Sequence, residues 1–415
     1  MPEIPAGQSR TVLSLEEYRD EVLALVSGPT PAETVSTADP RALLGRVLAD
    51  DVTSRAPVPA FANSAMDGYA VRWADLAVGA SLHVVAEIAA GDRQDPTLGR
   101  GECAQIMTGA PLPRDADTVV PVEATRPAGA TVTITQLPAH GRGAHVRGAG
   151  EDLAAGDTVC PAGTTLDPAW LAAVAAAGCP EVSVRRRPVL GIAATGDELV
   201  PAGSELARGQ IYESNGTHLA ATAVRLGAEV AATTVIPDDE DRFVAALDEL
   251  SAGCDLVVLS GGVSVGVHDV ARIVLGEQAD GTFRHVRVQP GKPQGWARWR
   301  GRVPVLALPG NPVSTAVSFE LFGRPVLDRM LGRPAAPLGR AVAAHGWSSP
   351  PGRRQLVPVR LSSDADGRLL AQPAHRRGSA SHMVTSLAGA DALAEVPEDT
   401  IDVVEGDVLT TRSLR

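Results

Sequence analysis

A glycine-rich stretch that could hold an anion occupies residues 260–269, SGGVSVGVHD, directly after an apolar run. Its candidate ligand-binding positions are Ser260, Gly261, Gly262, Ser264 and Gly266. Glycines lack Cβ atoms, so successive backbone N–H groups can converge on a ligand, and the serines add hydroxyl donors. The spacing matches neither a Walker A loop nor the GxGxxG motif. The stretch therefore predicts an anion-binding loop, with a simple strand-to-helix turn as the alternative.

Acidic residues accompany this loop. Asp269 closes it, Asp197 and Glu198 lie in TGDEL, and Asp238 and Asp239 lie in IPDDED. A carboxylate beside a phosphate repels the ligand unless a hard cation lies between them, and Mg²⁺ binds through one or two carboxylates plus phosphate oxygens. These acids predict a magnesium site. For the two aspartates of IPDDED, capping of the following helix is the alternative.

Lys292, in QPGKPQGW, is the only lysine among 37 lysine and arginine residues. A GC-rich genome explains the excess of arginine, but it does not explain why one lysine is kept. Lysine offers a compact ammonium with rotatable donors, whereas arginine offers a planar fork, so a site that needs the first does not accept the second. We therefore predict a functional role for this ammonium.

Strands and helices alternate between residues 188 and 331, which predicts right-handed crossovers and a mostly parallel sheet. The loops TGDEL, IPDDED, SGGVSVGVHD and LPGNPVS each follow a predicted strand. Ligands of such sheets bind at the carboxyl ends of the strands. The pattern therefore predicts that the four loops form one site. Asn311 is predicted to cap the helix that follows LPGNPVS.

The whole chain is predicted to be a multidomain α/β plus β protein. Residues 1–187 form a β-rich, mixed N-terminal region with two subdomains, and residues 188–333 form a central, mostly parallel three-layer α/β domain. Residues 334–415 form a small C-terminal β-barrel domain, in which SSDADG is a hairpin signal.

Composition excludes several classes of protein. A net charge of −12 and 3% aromatic residues argue against nucleic-acid binding. No apolar run approaches the length of a membrane helix, and the N-terminal SLEEYRDEVLALV reads as a capped amphipathic helix, so we expect a cytoplasmic protein with no membrane contact. The four cysteines are far apart in the sequence, which favours buried thiols over disulfides or zinc.

Seven short motifs, in this order, resemble those of the molybdopterin molybdenumtransferases, the family of bacterial MoeA and the E domain of gephyrin. They are NSAMDGYAV, IMTGAPLP, GED, TGDEL, SGGVSVGVHD, PGKP and LPGNPVS. The resemblance covers nearly the whole chain. It implies an elongated homodimer of four-part subunits that inserts molybdate into adenylated molybdopterin, with Mg²⁺-dependent release of AMP. The cleft would lie between the central domain of one subunit and N-terminal elements of the other.

The resemblance also assigns roles to residues. Acids required for activity fall on Asp67, Glu198, Asp238 and Asp269, of which the last three would hold the metal. Substrate-binding positions, besides the glycine-rich loop, fall on Thr108, Arg147, Asp152 and Asn311. The molybdate positions are Lys292, Pro293, Ser314 and Arg353.

One position departs from the family pattern. The family often reads KPGKP, whereas this chain has Gln289 in place of the first lysine. One positive charge is therefore missing near the oxyanion, so we expect weaker molybdate affinity rather than loss of function, with Arg287 as a candidate replacement for the charge.

Two other functions fit parts of the sequence. A molybdopterin adenylyltransferase would share the central fold, but the large N-terminal region with NSAMDGYAV argues against it. A gephyrin-like scaffold would be expected to lose the acids, and they are present. The adenylyltransferase and acceptor molybdoenzymes are candidate protein partners of the transferase.

Overall fold

The computed structural model describes residues 12–263, 269–375 and 380–415. The chain divides into two compact units. One contains Arg185–Arg415 together with the described residues before Thr34, and the other is Thr34–Val184.

The first unit is built on a seven-stranded sheet. Its strands are β1 (Val12–Leu13), β2 (Val189–Thr195), β3 (Glu229–Ile236), β4 (Leu256–Ser260), β5 (Thr282–Val286), β6 (Pro293–Trp299) and β7 (Val303–Leu308). The spatial order is β1-β5-β6-β7-β4-β2-β3. Strands β7, β4, β2 and β3 are parallel, and only β6 runs antiparallel to its neighbours. The mostly parallel sheet predicted from the sequence is confirmed.

Helices cover both faces of this sheet. They are α1 (Leu15–Leu23), α2 (Asn215–Arg225), α3 (Glu240–Ser251), α4 (Val270–Gln278), α5 (Pro312–Ser318) and α6 (Arg324–Leu331), with a π-helical turn at Phe319–Gly323 between the last two. Side chains alternate across β4: Leu256 and Val258 pack with α2 and α5, whereas Val257 and Leu259 pack with α3 and α4. The three-layer α/β architecture is therefore confirmed.

The N-terminal helix belongs to this unit, whereas the sequence placed residues 1–187 in one N-terminal region. The capping box of Ser14 and Glu17 starts α1 as predicted. Tyr18 is buried and packs edge-on against Phe322, with the ring centroids 4.8 Å apart. Strand β1 pairs with β5. The helix joins the central unit because its apolar face is buried there.

The C-terminal part is a closed five-stranded barrel. Its strands are β8 (Gly339–Ala343), β9 (Arg354–Ser363), β10 (Leu369–Pro373), β11 (Ala392–Val396) and β12 (Val408–Ser413). Strands β9 and β10 form the predicted hairpin, and pairing of β9 with β11 closes the ring. The two-residue strand Val288–Gln289, which precedes the PGKP motif, pairs with the start of β9. This pairing brings the motif next to the barrel.

The second unit contains a six-stranded sheet with the order Thr118–Pro121, Gly68–Val71, Glu102–Ile106, Ser81–Ile88, Thr131–Ile134 and Thr125–Ala128. A separate core packs around the helix Pro168–Ala176, which Asp167 caps. The remaining short elements of the chain are Ala32–Ser36, Pro40–Leu43, Val52–Thr53, Asn63–Ser64, Trp73–Asp75, Val122–Ala124, Val146–Arg147, Thr158–Cys160, Glu181–Arg185, Leu199–Val200, Ile211–Tyr212, Trp347–Ser348, Thr385–Ala388 and Asp402–Val403.

All four cysteines are buried and free, as the sequence predicted. Burial raises the pKa of the Cys103 thiol to about 12, so this side chain behaves as a small apolar group. Among the described helices, none has both the length and the apolar character to span a bilayer.

Candidate functional site

The four predicted loops leave one edge of the central sheet. Strands β7, β4, β2 and β3 are adjacent and parallel, so their carboxyl ends point the same way. Asn215, at the start of α2, joins two of these loops: its Nδ2 donates to Ser260 Oγ at 2.9 Å and to the Gly310 carbonyl at 2.6 Å. The prediction that these loops lie together is confirmed.

The first two glycines of the glycine-rich loop are required by close packing. Gly261 and Gly262 have φ values of +103° and +67°. A Cβ atom on Gly261 would lie 2.7 Å from Thr195 Oγ1, and one on Gly262 would lie 2.6 Å from the Ala271 Cβ. The Thr195 hydroxyl is buried under this turn and has no hydrogen-bond partner among the residues that the structure describes. The turn therefore brings its backbone into close contact with Thr195 and with the start of α4.

The remaining loop positions differ in their surroundings. Ser260 is buried, and its hydroxyl contacts Thr315 Oγ1 at 3.2 Å as well as Asn215, so it serves to join protein segments. Ser264 and Gly266, which the sequence also placed in the anion site, lie outside the described residues. Asp269 occupies the position before α4, at the end of the loop.

Carboxylates crowd the same edge of the sheet. Asp197 and Asp238, at the ends of β2 and β3, accept hydrogen bonds from each other's backbone N–H, at 3.1 and 3.5 Å. The Glu198 carboxylate is exposed and lies close to Gly196. A Cβ atom added to this glycine would be 2.3 Å from Glu198 Oε2. Asp239 caps α3 by accepting from the Arg242 N–H, so the capping alternative holds for this aspartate and not for its neighbour.

A magnesium ion fits the chemistry of these donors. The edge offers carboxylate oxygens, which are hard ligands suited to Mg²⁺. Within residues 12–263, 269–375 and 380–415, no three His, Cys, Asp or Glu side chains form a complete metal-binding group.

A second site lies where the PGKP motif meets the barrel. Lys292, Ser314 and Arg353 line one cavity of about 390 Å³, together with Gln289 and Ser381. These residues come from the segment before β6, the start of α5, the segment before β9 and the segment after the barrel strand β10. Three of the four predicted molybdate positions therefore converge. The fourth, Pro293, pairs with His285 in the sheet and does not line the cavity.

The residue that replaces the usual lysine contacts the cavity's arginine. Gln289 Oε1 accepts a hydrogen bond from Arg353 Nη1 at 3.3 Å. Arg287 does not supply the missing charge, because its guanidinium pairs with Glu398 at 3.0 Å and donates to the Val12 carbonyl, outside the cavity. The expectation that Arg287 compensates is therefore wrong. Among the residues that the structure describes, the positive side chains that line the cavity are Lys292 and Arg353.

A fully buried amide lies under the PGKP turn. Gln294 Nε2 donates to the Gly291 carbonyl at 2.7 Å and to Ser318 Oγ at 2.6 Å. Gly291 has a φ of +106°, and a Cβ atom there would lie 2.9 Å from Ser318 Oγ. The amide therefore fixes the turn that carries Lys292. Sequence reasoning missed Gln294, although a glutamine at an inward position of a buried strand was a usable signal.

The cap position of α5 also differs from expectation. Asn311 precedes the helix as predicted, but its side chain makes no capping hydrogen bond. Instead Nδ2 donates to Ser381 Oγ at 3.1 Å, and the Val313 N–H donates to the Ser381 carbonyl. This serine, which no sequence motif indicated, ties the LPGNPVS loop to the segment that follows β10.

The remaining predicted positions lie in the second unit. Asp67 accepts hydrogen bonds from the Thr108 N–H at 2.7 Å and from its hydroxyl at 2.8 Å, and these bonds lower the pKa of the Asp67 carboxyl. Arg147 is exposed on a short strand that pairs with Asn63. Asp152 is exposed, and its backbone N–H donates to the Val58 carbonyl.

Known proteins resemble the whole chain. Residues 13–178 match the family described as MoeA N-terminal region (domain I and II). Residues 191–329 match the probable molybdopterin binding domain, and residues 340–411 match the MoeA C-terminal region (domain IV).

Individual relatives extend over similar lengths. Molybdopterin molybdenumtransferase 2 of Mycobacterium tuberculosis is 41% identical over 379 residues, which cover 88% of this chain and 91% of the relative. Molybdopterin molybdenumtransferase of Haemophilus influenzae is 33% identical, covering 86% and 84%. The crystal structure of a molybdopterin biosynthesis MoeA protein from Pyrococcus horikoshii has 32% identity, a TM-score of 0.80, and coverage of 98% of this chain and 100% of that chain. The chain therefore belongs to the MoeA family of molybdopterin molybdenumtransferases.

Proposed function

We propose that this protein is a molybdopterin molybdenumtransferase that inserts molybdate into adenylated molybdopterin, forming the molybdenum cofactor and releasing AMP. Family membership supports the transferase activity. The observation that carries the proposal is the cavity of about 390 Å³ in which the chain's only lysine meets Ser314 and Arg353. Matches to both terminal MoeA regions favour this activity over that of an adenylyltransferase.

The cavity suits molybdate on electrostatic grounds. Molybdate is a dianion, and a protein with a net charge of −12 repels it unless a local group of cations reverses the field. The Lys292 ammonium and the Arg353 guanidinium supply two positive charges, and Ser314 adds a hydroxyl donor. Charge-assisted hydrogen bonds of this kind are the strong ones in proteins. We infer that these three side chains bind and orient the oxyanion.

The edge of the sheet suits the nucleotide part of the substrate. The backbone of Gly261 and Gly262, which has no Cβ atoms, would cradle the pyrophosphate that joins the pterin to AMP. Magnesium, when bound, would neutralise the charge that develops as this linkage breaks. Glu198, Asp238 and Asp269 would hold it through their carboxylates.

Further parts of the proposal rest on the family resemblance. In the second unit we infer roles for Asp67, Thr108, Arg147 and Asp152 in binding the substrate or in turnover. We also infer a homodimer, a cytoplasmic location, and transient contact with the adenylyltransferase and with acceptor molybdoenzymes. Sedimentation analysis of the purified chain tests the dimer, since a monomer at micromolar concentration would contradict it.

The activity is tested by supplying the purified protein with adenylated molybdopterin, Mg²⁺ and molybdate and following AMP. We expect AMP release that requires both molybdate and magnesium. Asp269→Asn should abolish turnover while circular dichroism shows a native fold, because the edge loses one carboxylate. Glu277→Gln, an exposed change on the same helix, is the matched control and should retain activity. An equal rate of AMP release with and without molybdate would contradict the proposal.

A further inference from the structure

A second, larger cavity lies away from the sheet edge and from Lys292. It has a volume of about 670 Å³ and is bordered by α1, α6, the segment that links α6 to the barrel, and the end of β12. This volume lies within the range of small-molecule sites, about 300–1,000 Å³. Its lining includes six arginines, Arg19, Arg324, Arg329, Arg333, Arg412 and Arg415, in a protein whose net charge is −12.

Four of these arginines form ion pairs with carboxylates of the protein. Arg324 pairs with Glu320, and Arg333 pairs with Asp328. Arg412 and Arg415 pair with carboxylates outside the lining. Arg329 is exposed, and neither it nor Arg19 forms a salt bridge or a side-chain hydrogen bond with a residue that the structure describes. Asp20 is the remaining carboxylate of the lining, and these two guanidiniums outnumber it, so the cavity keeps an excess of positive charge.

Two of the paired guanidiniums also keep unused donors. Arg324 Nε and Arg333 Nη2 are buried and have no hydrogen-bond acceptor within the described part of the chain. The exposed fractions of the Arg324 and Arg333 side chains are only 18% and 14%. A buried donor without an acceptor destabilises the fold. An oxyanion in the cavity would supply acceptors to these donors and opposite charge to Arg329.

The lining also contains apolar residues, beside the polar Asp20 and Ser413. Leu23 of α1 and Pro325 of α6 face the linking residues Ala336, Pro337 and Leu338. A ligand that fills the cavity would therefore place an oxyanion near the guanidiniums and an apolar body against this wall.

We propose that this cavity is a binding site for a small molecule that carries a phosphate or carboxylate group on an apolar body. Guanidinium groups recognise both oxyanions through paired N–H donors, so the two share one recognition chemistry. The site is separate from the molybdate cavity, and the proposal does not depend on the proposed transferase reaction.

Calorimetric titration of the full chain with phenyl phosphate and with phenylacetate tests the proposal and distinguishes the two oxyanions. We expect at least one of the two probes to bind. If phenyl phosphate binds, inorganic phosphate should bind at least tenfold more weakly. The double variant Arg19→Gln, Arg329→Gln removes the two unpaired guanidiniums and leaves the buried ion pairs intact, so the fold should survive and the affinity should fall at least tenfold.

Two controls assign the binding to this cavity. Arg340→Gln alters an exposed arginine of β8 that does not line the cavity, and Lys292→Ala alters the molybdate cavity; both should change the affinity less than twofold. The Nε–H NMR signal of Arg324 should shift when the probe is added. Absence of binding by both probes, or native affinity in the double variant, would overturn the proposal, as would loss of binding in Lys292→Ala.

Discussion

Removing Lys292, the only lysine of the sequence, is the sharpest perturbation of the molybdate cavity. In Lys292→Ala the cavity keeps Arg353 and Ser314 but loses the ammonium. We expect a higher molybdate concentration for half-saturation of AMP release. Turnover at saturating molybdate should change little, because the lysine is proposed to bind the oxyanion rather than to act on the pyrophosphate.

The size of the effect follows from the surroundings of the side chain. A hydrogen bond to a charged group contributes about 1.5–3 kcal/mol to binding. Lys292 is exposed, and solvent weakens its attraction for the anion, so the lower end of this range applies. Since 1.4 kcal/mol corresponds to a factor of ten, half-saturation should rise about tenfold. Lys292→Arg keeps the charge but not the compact ammonium, and it should fall between the native chain and the alanine variant.

Two assays measure this change independently. Steady-state AMP release at varied molybdate gives the half-saturation constant. Because the chain has a single lysine, ¹⁵N-lysine labelling gives one side-chain resonance, and its shift on titration with molybdate reports binding without turnover. Two results together would refute the assignment. They are an unchanged half-saturation constant in Lys292→Ala and, in the native chain, a lysine resonance that does not shift when molybdate is added.

Three further predictions concern other parts of the chain. Gln294→Leu removes the amide that donates to the Gly291 carbonyl. A loss of about 1 kcal/mol of binding free energy should raise the molybdate concentration for half-saturation about fivefold, with little change in turnover at saturating molybdate. An equal loss of activity at all molybdate concentrations would contradict this. Thr108→Val removes one of two hydrogen bonds to Asp67, so NMR titration should show the pKa of that carboxyl rising towards 3.8, and an unmoved pKa would exclude the hydroxyl as a cause. Burial lowers the pKa of His218 below its ordinary value of 6.5, so unfolding takes up a proton and stability should fall as the pH drops below 6.5. In His218→Gln the melting temperature should depend less on pH over this range. The same pH dependence in the variant and the native chain would mean that another group causes it.

The parts of the fold that were predictable have strong local signals. Alternation of short apolar runs with helix-capping residues identified β2, β3 and β4 and the helices between them, and the parallel arrangement then implied that their loops share one edge. The capping box at Ser14 and Glu17 fixed the start of α1. In each case the residues that determine the element are close together in the sequence.

The parts that were missed depend on contacts between distant segments. Strand β1 has two residues and pairs with β5, some 270 positions away, so no local pattern reveals it. Asn311 contacts Ser381, 70 positions away, instead of capping its helix, because the serine hydroxyl is placed there by the barrel. Arg287 was expected to compensate for Gln289, but Glu398 holds it elsewhere.

The central claim is that the cavity around Lys292, Ser314 and Arg353 holds molybdate during insertion. Crystals soaked in molybdate and measured at the molybdenum absorption edge test it most directly, because the anomalous signal locates the metal without assumptions about the ligand. We expect one strong peak within hydrogen-bonding reach of all three side chains. A peak at another position with this cavity left empty would contradict the claim.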